Sequence, residues 1–214
     1  MQGIRLSYFL FLGIGLMACN NQNNEPSMIN DNIPPSQLEI ATLGGGCFWC
    51  VEAVFQEVKG VQKVVSGYSG GTKETANYEA VCSKKTNHAE VIQVHFNPSV
   101  ISFAEILEIF WTTHDPTTPN RQGNDVGPQY RSVVFYDSEE QKTITEKSIA
   151  EVATKIWDNP IVTEVSPLEA FYEAEVYHQD YYQKVGNRNP YCTFIITPKV
   201  TKFRKQFKEK LKTS

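Results

Sequence analysis

The sequence predicts an α+β fold of the α/β-sandwich kind: a single domain with a mixed sheet flanked by helices and a second half rich in loops. Two observations support this. Apolar residues switch repeatedly between the two-residue period of strands and the 3.6-residue period of helices, without an internal repeat. A length of 214 residues with 41% hydrophobic content provides one ample core.

The charge balance is mildly acidic, with a formal net charge of −4. Basic residues form no run before segment 199–210, "KVTKFRKQFKEK", which mixes both signs with apolar positions and predicts an amphipathic helix. The composition therefore gives no indication of nucleic-acid binding. Nothing in the sequence requires more than a monomer.

Residues 1–18 predict a lipoprotein signal peptide. Arg5 precedes an apolar run that is too short to span a bilayer comfortably. The run ends in Leu-Met-Ala, and the next residue is Cys19, an arrangement that resembles a bacterial lipoprotein box whose cysteine becomes lipidated. The alternative is a simple secretion signal with a chance cysteine.

Residues 19–37 then predict a lipidated cysteine followed by a flexible tether. The segment is polar, rich in asparagine and proline, and cannot build a core. Two or more acyl chains, as on a lipoprotein, hold a protein stably at a membrane. We therefore expect lipid anchoring in a bacterial cell envelope, on the periplasmic or outer-membrane face.

The predicted domain covers residues 38–214 and opens with a strand, a turn and a helix. "LEIATL" at 38–43 is a short apolar run that predicts a strand, and three glycines follow at 44–46. "CFWCVEAVFQEV" at 47–58 has apolar residues at helical spacing, which places Cys47 at a helix N-terminus. "EVIQVHF" at 90–96 alternates like a strand.

Later elements carry clear end signals. Ser102 and Glu105 have capping-box spacing at the start of a helix over 102–113, and Ser138 with Gln141 caps a long helix over 138–157. Further strands are predicted at 131–136 and 160–165 and a final helix at 197–207, with Pro198 in its first turn.

Cys47 is the best nucleophile in the sequence. A helix N-terminus stabilises a thiolate, which lowers the pKa of the thiol from about 8.5. Cys50 follows one turn later, where it can attack whatever forms on Cys47. By local chemistry alone "CFWC" predicts a redox dithiol. No second pair of ligands at a convincing spacing suggests zinc.

Glu90 begins a strand face that it shares with Ile92, Val94 and Phe96. A carboxyl at the end of a buried face is desolvated, which raises its pKa, as a general acid at neutral pH requires. The alternative is a glutamate at a strand end that turns out to solvent.

Together, four blocks resemble the A-type peptide methionine sulfoxide reductases, which act on the S epimer of the sulfoxide. The blocks are "GGCFWC" at 45–50, "YEAVCSKKTNHAEVIQVHF" at 78–96, "HDPTTPNRQGNDVGPQYRSVVFY" at 114–136 and "FYEAEVYHQDYY" at 171–182. They occur in the family's order and cover the chain from about residue 40 to the last helix. The resemblance implies reduction of peptide-bound and free methionine sulfoxide, and hence repair of oxidised proteins, without a cofactor or a metal.

The resemblance also implies roles for individual residues. Cys47 attacks the sulfoxide sulfur to form a sulfenic acid, and Glu90 protonates the departing oxygen. Tyr78 and Tyr130 hydrogen-bond that oxygen.

Four further residues match substrate-binding positions of the family. Phe48 and Trp49 receive the S-methyl group. Asp125 and His178 orient their neighbours rather than perform the chemistry.

One departure from the family concerns the resolving cysteine. Many members have glycine at the position of Cys50 and resolve the sulfenic acid with cysteines near a glycine-rich C-terminus, which this chain lacks. We expect Cys50 to resolve it, with Cys192 as the alternative, and a thioredoxin-like protein of the envelope to reduce the resulting disulfide.

Other interpretations remain open at this point. Cys47 and Cys50 could belong to a thiol–disulfide oxidoreductase, or be structural in a non-catalytic surface lipoprotein. The remaining alternatives assign structural roles to residues of the blocks: core packing for Phe48 and Trp49, a turn cap for Asp125, satisfied histidines for His88 and His178, and a small buried residue for Cys82.

Overall fold

The computed structural model describes residues 33–212. Within this range six strands form the main sheet: β1 (Glu39–Gly45), β2 (Val61–Ser69), β3 (Ala89–Phe96), β6 (Ser132–Tyr136), β7 (Glu164–Pro167) and β8 (Phe171–Glu173). A separate ribbon pairs β4 (Arg121–Gln122) with β5 (Asp125–Val126). The α-helices of the same range are α1 (Phe48–Phe55), α2 (Tyr78–Cys82), α3 (Phe103–Thr113), α4 (Glu139–Ser148), α5 (Thr154–Ile156), α6 (Tyr181–Val185) and α7 (Thr197–Gln206).

The main sheet has the strand order β7-β6-β1-β3-β2-β8. Neighbouring strands are antiparallel except β6 and β7, which are parallel. The predicted mixed sheet is therefore confirmed. β1 and β3 are its two central strands, and these two strands carry the turn before Cys47 and the carboxyl of Glu90.

Most of the core lies between one face of this sheet and helices α1, α3 and α7. The side chains of β3 alternate between the two faces of the sheet. Ile92, Val94 and Phe96 belong to the large core on one face, whereas Ala89 and Val91 belong to a small cluster on the other. Because Glu90 shares the first set's face, it points to the helix-covered side of the sheet. The prediction that Glu90 lies on a buried face is confirmed, since its exposure is 2%.

Local signals predict the helix ends correctly. The capping box of Ser102 and Glu105 is present at the start of α3. Ser138 accepts a hydrogen bond from the Gln141 amide at 3.2 Å at the start of α4. The predicted helix over 138–157 is continuous through a π-helical segment, Ile149–Ala153, into α5.

Three strands of the main sheet differ from the prediction. The strand predicted at 160–165 is β7 at Glu164–Pro167, because pairing with β6 starts only at Glu164. β2 and β8 have no counterpart among the predicted strands.

β2 is buried on both faces: Ser66 lies on one and Ser69 on the other, and at Gly67 the Phe171 ring and the Tyr172 carbonyl of β8 lie where a Cβ would stand. Its strand character therefore depends on distant neighbours rather than on a local alternation.

The predicted signal peptide of residues 1–18, the lipidated Cys19 and most of the 19–37 tether lie outside the described residues. At the tether's end, Pro35–Gln37 form a 3-10 turn before β1. Among residues 33–212 no helix is both long and apolar enough to cross a membrane.

Candidate active site

Cys47 lies in a tight turn between β1 and α1. Gly46 before it has a φ of +92°, a conformation that favours glycine. A Cβ on Gly46 would lie 2.5 Å from the Gln122 side chain. Gln122 in turn is fixed by two hydrogen bonds of 3.1 Å to the backbone of Asp115. The glycine thus permits close contact between the nucleophile's turn and the β4–β5 ribbon.

A small cavity of about 70 Å³ opens beside Cys47. All four residues that the sequence predicts to be catalytic line it: Cys47, Tyr78, Glu90 and Tyr130. Three of the four predicted substrate-binding residues line it too: Phe48, Trp49 and Asp125. The structure thus brings together seven residues from three of the four sequence blocks, and it adds Tyr191 from the segment beyond them.

Glu90 faces this cavity as a desolvated carboxyl. Burial raises the pKa of Glu90 to about 8, although the hydrogen bond from the Phe48 amide to its Oε2, at 3.1 Å, acts in the opposite direction. At neutral pH the carboxyl is therefore mostly protonated. The amide fixes one oxygen, and a proton on the other oxygen is available to a bound molecule.

Cys47 and Cys50 are buried one helical turn apart, and the Cys50 amide donates a hydrogen bond to the Cys47 carbonyl at 3.0 Å. Burial, followed by hydrogen bonding with the Cys50 thiol, raises the pKa of Cys47 well above its ordinary value. For Cys50 the interaction with the Cys47 thiol outweighs burial and lowers the pKa to about 7.

The expected lowering of the Cys47 pKa by the helix N-terminus is wrong for the substrate-free site. The Cys47 side chain caps none of the free N–H groups of α1, and the first of them, on Phe48, is bonded to Glu90 instead. Burial therefore decides the direction. The thiol proton must leave Cys47 when it reacts, and Cys50 is the adjacent group that can take it.

Tyr78 and Tyr130 are hydroxyl donors at neutral pH. A hydrogen bond with Cys82, together with burial, raises the pKa of Tyr78 to about 12, and burial raises the pKa of Tyr130 further. Tyr78 starts α2, where its amide donates to Glu175 at 2.9 Å. The Glu175 carboxylate therefore connects the start of α2 to the loop that follows β8.

An aromatic wall closes one side of the cavity. The Trp49 indole N–H donates to Nδ1 of His178 at 3.2 Å, and the His178 ring centroid lies 5.0 Å from Phe48 and 4.7 Å from Tyr78. Burial lowers the pKa of His178, so the ring is neutral and can accept this bond. His178 does not line the cavity itself but supports the three aromatic rings that do.

Trp49 is also stacked on Tyr181, with ring centroids 3.7 Å apart and an interplanar angle of 6°. The Tyr181 segment is held by Glu52, a fully buried carboxyl of α1 that accepts hydrogen bonds from the amides of Asp180 at 3.0 Å and Tyr181 at 3.2 Å. One helix, α1, thus carries the thiols, part of the aromatic wall and the anchor of the stack behind it.

Tyr191 connects the ribbon to the dithiol. Its hydroxyl donates to Oδ2 of Asp125 at 2.7 Å and lies 3.7 Å from the Cys50 sulfur. Because Asp125 accepts this bond, it does more than cap a turn. The phenol has a single proton, so it stabilises the thiolate form of Cys50 only when that proton turns from Asp125 to the sulfur.

The comparisons with known proteins agree with this geometry. A family model described as "Peptide methionine sulfoxide reductase" matches residues 39–211. The chain belongs to the peptide methionine sulfoxide reductase family. A reductase of that name (MsrA) from Sulfolobus acidocaldarius is 59% identical over 173 residues, which cover 81% of this chain and 97% of the relative. The MsrA of Trichodesmium erythraeum is 53% identical over 81% of this chain and 98% of its own length.

Solved structures of the family share the fold. The reduced form of Mxr1 from Saccharomyces cerevisiae superposes with a TM-score of 0.68 at 35% identity, over 75% of this chain and 92% of that chain. MsrA of Corynebacterium diphtheriae gives a TM-score of 0.60 at 30% identity, over 72% and 77%. The protein is thus an oxidoreductase that reduces methionine S-sulfoxide to methionine, which restores a flexible apolar side chain in oxidised proteins.

Cys82, Cys192 and His88 lie away from the cavity lining of the reductase. The four cysteines of residues 33–212 are free thiols. Cys192 is buried in a π-helical turn, and Cys82 is only half-buried, so the expectation of a small buried residue there is wrong in degree. His88 is buried and its Nε2 bonds the Thr72 carbonyl at 2.9 Å, which agrees with a structural role, but its Nδ1 is buried without a hydrogen-bond partner, so the expectation of a satisfied histidine holds for one ring nitrogen only.

Sequence reasoning missed Tyr191, Tyr181 and Glu52. Tyr191 stands next to Cys192 in the sequence, and its adjacency to that cysteine was the only available signal. Its partners Asp125 and Cys50 are 66 and 141 residues away. Within residues 33–212 no group of three or more histidine, cysteine, aspartate or glutamate residues is arranged to hold a metal ion.

Proposed function

We propose that the reductase works by nucleophilic attack of Cys47 on the sulfoxide sulfur, with Glu90 as the proton donor. The observation that carries this proposal is that a thiol, a carboxyl with a pKa of about 8 and two phenols line one small cavity. A sulfoxide oxygen leaves poorly until it is protonated. A neutral carboxyl beside the attacking sulfur meets that requirement.

The first half-reaction transfers oxygen from substrate to enzyme. The Cys47 sulfur attacks the sulfoxide sulfur and forms a sulfur–sulfur bond, as the thiol proton passes to Cys50 and Glu90 protonates the sulfoxide oxygen. The oxygen then moves to the Cys47 sulfur while the sulfur–oxygen bond of the substrate and the new sulfur–sulfur bond both break, which leaves methionine and the sulfenic acid of Cys47. Methionine leaves two electrons richer, and the cysteine is oxidised by the same two electrons.

Tyr78 and Tyr130 donate hydrogen bonds to the sulfoxide oxygen as charge develops on it. Their raised pKa values keep both hydroxyls protonated over the working range. Phe48 and Trp49 receive the S-methyl group on aromatic faces, which attract polarisable sulfur and its methyl. Because the aromatic rings fix the methyl group and the tyrosines fix the oxygen, only one of the two sulfoxide epimers can present its sulfur to Cys47.

Asp125 and His178 position other residues in this proposal. His178 accepts from the Trp49 indole and sets the angle of the aromatic wall. Asp125 accepts from Tyr191 and so fixes the phenol that contacts Cys50. Neither residue exchanges a proton with the substrate.

We further propose that Cys50 resolves the sulfenic acid. Its sulfur attacks the Cys47 sulfur and a disulfide forms between them, while the sulfur–oxygen bond of the sulfenic acid breaks and the hydroxyl leaves as water with the proton that Cys50 gives up. The position of Cys50 one helical turn after Cys47, where its amide donates to the Cys47 carbonyl at 3.0 Å, and the lowered pKa of its thiol, about 7, support this assignment. Cys192 is the alternative, but burial raises the pKa of its thiol.

A dithiol protein of the thioredoxin type is the proposed reductant of this disulfide. Each turnover leaves one disulfide, so two electrons and two protons must enter before the next cycle. A dithiol supplies both in one exchange and leaves with the disulfide. In the envelope that reductant needs electrons from across the membrane.

We also propose that Cys19 carries a lipid anchor and keeps the reductase at the bacterial cell envelope. The support is the sequence of residues 1–19 and the polar, proline-containing segment after it. Membrane fractionation of the full chain and of a Cys19→Ala variant tests it. Recovery of both proteins in the soluble fraction would contradict the anchor.

Epimer-resolved turnover tests the mechanism. The chain without residues 1–18 is supplied with dithiothreitol and with peptides containing the S or the R sulfoxide. We expect conversion of the S epimer alone, abolished by Cys47→Ser. Conversion of the R epimer would overturn the proposed orientation of the methyl group. Disulfide exchange without sulfoxide reduction would favour a thiol–disulfide oxidoreductase.

A further inference from the structure

Exposed apolar side chains are concentrated around the catalytic cavity. Residues 33–212 have seven large apolar side chains that are exposed, and five of them belong to the cavity, to its adjoining groove or to segments that carry its residues: Tyr78, Val126, Val176, Tyr177 and Phe194. Val126 follows Asp125, and Val176 and Tyr177 form the turn that contains His178. Apolar surface concentrated at one place on a protein marks a binding region.

Phe194 is the most exposed aromatic residue of this group, with an exposure of 75%. It lies with Ile195 and Lys199 in a groove of about 430 Å³. The groove shares Asp125 and Tyr191 with the catalytic cavity, so the two adjoin. A polypeptide whose side chain enters the cavity therefore has its neighbouring residues close to this groove.

The size of the cavity decides what must lie outside it. About 70 Å³ accommodates the sulfoxide end of one side chain, whereas the polypeptide that carries this side chain stays at the mouth. The groove, about six times larger, is the adjoining concave surface that can hold a neighbouring residue. Its lining combines the apolar Phe194 and Ile195 with Lys199, which has no ion-pair partner among the described residues. Residues 122–125 of the β4–β5 ribbon supply the polar side of the groove.

We propose that this groove binds an apolar side chain next to the methionine sulfoxide in an extended polypeptide. The inference rests on the proposed function of the catalytic cavity and names the class of substrate that the same site prefers. Phe194 covers the apolar neighbour, and Ile195 forms the base beneath it. The reductase thereby selects segments in which the oxidised methionine has apolar neighbours, as methionines from protein cores have, over isolated sulfoxides in polar sequences.

The test compares three S-sulfoxide substrates with the full chain and dithiothreitol. Two are peptides of equal length, one with leucine on both sides of the methionine sulfoxide and one with serine. The third, N-acetyl-methionine sulfoxide amide, has no neighbouring side chain. We expect kcat/KM for the leucine peptide to exceed that for the serine peptide roughly 10-fold, as burial of one apolar side chain predicts.

Phe194→Ser should remove most of this preference and leave kcat/KM for the acetylated amide unchanged. Phe194→Leu should restore most of it, because an apolar side chain remains. Ile156→Ser, which also replaces an exposed apolar residue but outside the groove, should change nothing. An equal loss on all three substrates in Phe194→Ser would mean a structural role and would overturn the proposal.

Two further outcomes separate the alternatives. If Phe194→Ser slows turnover only with a thioredoxin-type reductant and not with dithiothreitol, the groove binds the reductant and the substrate proposal is wrong. If wild type shows no preference for the leucine peptide, the proposal is wrong as well. If none of the three substrates is reduced, the proposed function of the cavity fails instead.

Discussion

The amide of Phe48 donates a hydrogen bond to Glu90 Oε2 at 3.1 Å, so the residue that follows the nucleophile holds the proposed acid in place. This bond joins the first turn of α1 to the start of β3, 42 residues apart in sequence. It fixes the distance between attacking sulfur and proton donor through the backbone rather than through a mobile side chain. A backbone donor also survives every substitution at Phe48 except proline, which has no backbone N–H.

Glu90→Gln should reduce kcat for the S sulfoxide by about 10²- to 10⁴-fold, because the amide keeps the Phe48 bond but donates no acidic proton. In wild type the acid is active when protonated, so kcat should fall as pH rises through about 8. Single-turnover rates from pH 6 to 9.5 measure both effects. A wild-type profile that is flat to pH 9.5 would exclude Glu90 as the acid.

Glu90 should also make stability depend on pH. Its pKa of about 8 in the folded protein lies above the ordinary glutamate value of 4.5, so its contribution to stability is full below pH 4.5 and is lost as pH rises through 8. Glu90→Gln removes this dependence. The free energy of unfolding of the variant, measured by urea denaturation, should therefore rise relative to that of wild type by a few kcal/mol at most between pH 5 and pH 8. An equal difference at both pH values would contradict the raised pKa.

Cys50→Ser should still release one methionine per enzyme but form no disulfide within the chain. The sulfenic acid on Cys47 should then persist and react with dimedone. Mass spectrometry after a single turnover measures both species, and Cys192→Ser serves as the matched control that still forms the disulfide. A disulfide in Cys50→Ser that disappears in the Cys50/Cys192 double variant would assign resolution to Cys192.

Tyr191→Phe should slow disulfide formation more than methionine release. The substitution keeps the ring but removes the hydroxyl between Asp125 and Cys50, which helps to lower the pKa of the Cys50 thiol. Loss of one such hydrogen bond predicts a rate reduction of roughly 3- to 10-fold. Stopped-flow kinetics of the second step measures it. The control is Tyr182→Phe, because the Tyr182 hydroxyl of wild type contacts Thr197. Equal slowing in both variants would contradict the role of Tyr191.

Gly46→Ala should destabilise the protein and lower its activity, whereas Gly123→Ala should cost only backbone strain. Both glycines have positive φ, but a Cβ on Gly46 meets Gln122, while a Cβ on Gly123 meets nothing within 4 Å. The strain alone is about 1–2 kcal/mol. Thermal unfolding and kcat measured on both variants separate the two effects. Equal losses would show that contact with the ribbon is unimportant.

Local chemistry explains which parts of the fold were predictable. Residues close in sequence determine the caps at Ser102 and Ser138 and the alternation of β3. The structure has these features at the predicted positions. β2 was missed because its burial depends on residues of β8 that pack over Gly67. No window of sequence around Gly67 contains that information.

The active site divides in the same way. The short segment "GGGCFWC" and the alternation around Glu90 predict a nucleophile and an acid from neighbouring residues alone. Their pKa values were less predictable, because the buried environment of Cys47 outweighs its position at a helix end. The Tyr191 contact with Cys50 spans 141 residues, so only the tertiary structure reveals it.

The stacking of Trp49 on Tyr181 gives the reductase an intrinsic optical probe. The chain has three tryptophans. Trp157 donates to the Trp111 carbonyl and Trp111 to Ser148, so both are engaged away from the cavity. Trp49 lies in the cavity wall, two residues from Cys47 and one from Cys50. Changes in indole fluorescence during catalysis therefore report on this one pocket, and ligand entry and thiol oxidation can be followed in the unlabelled protein.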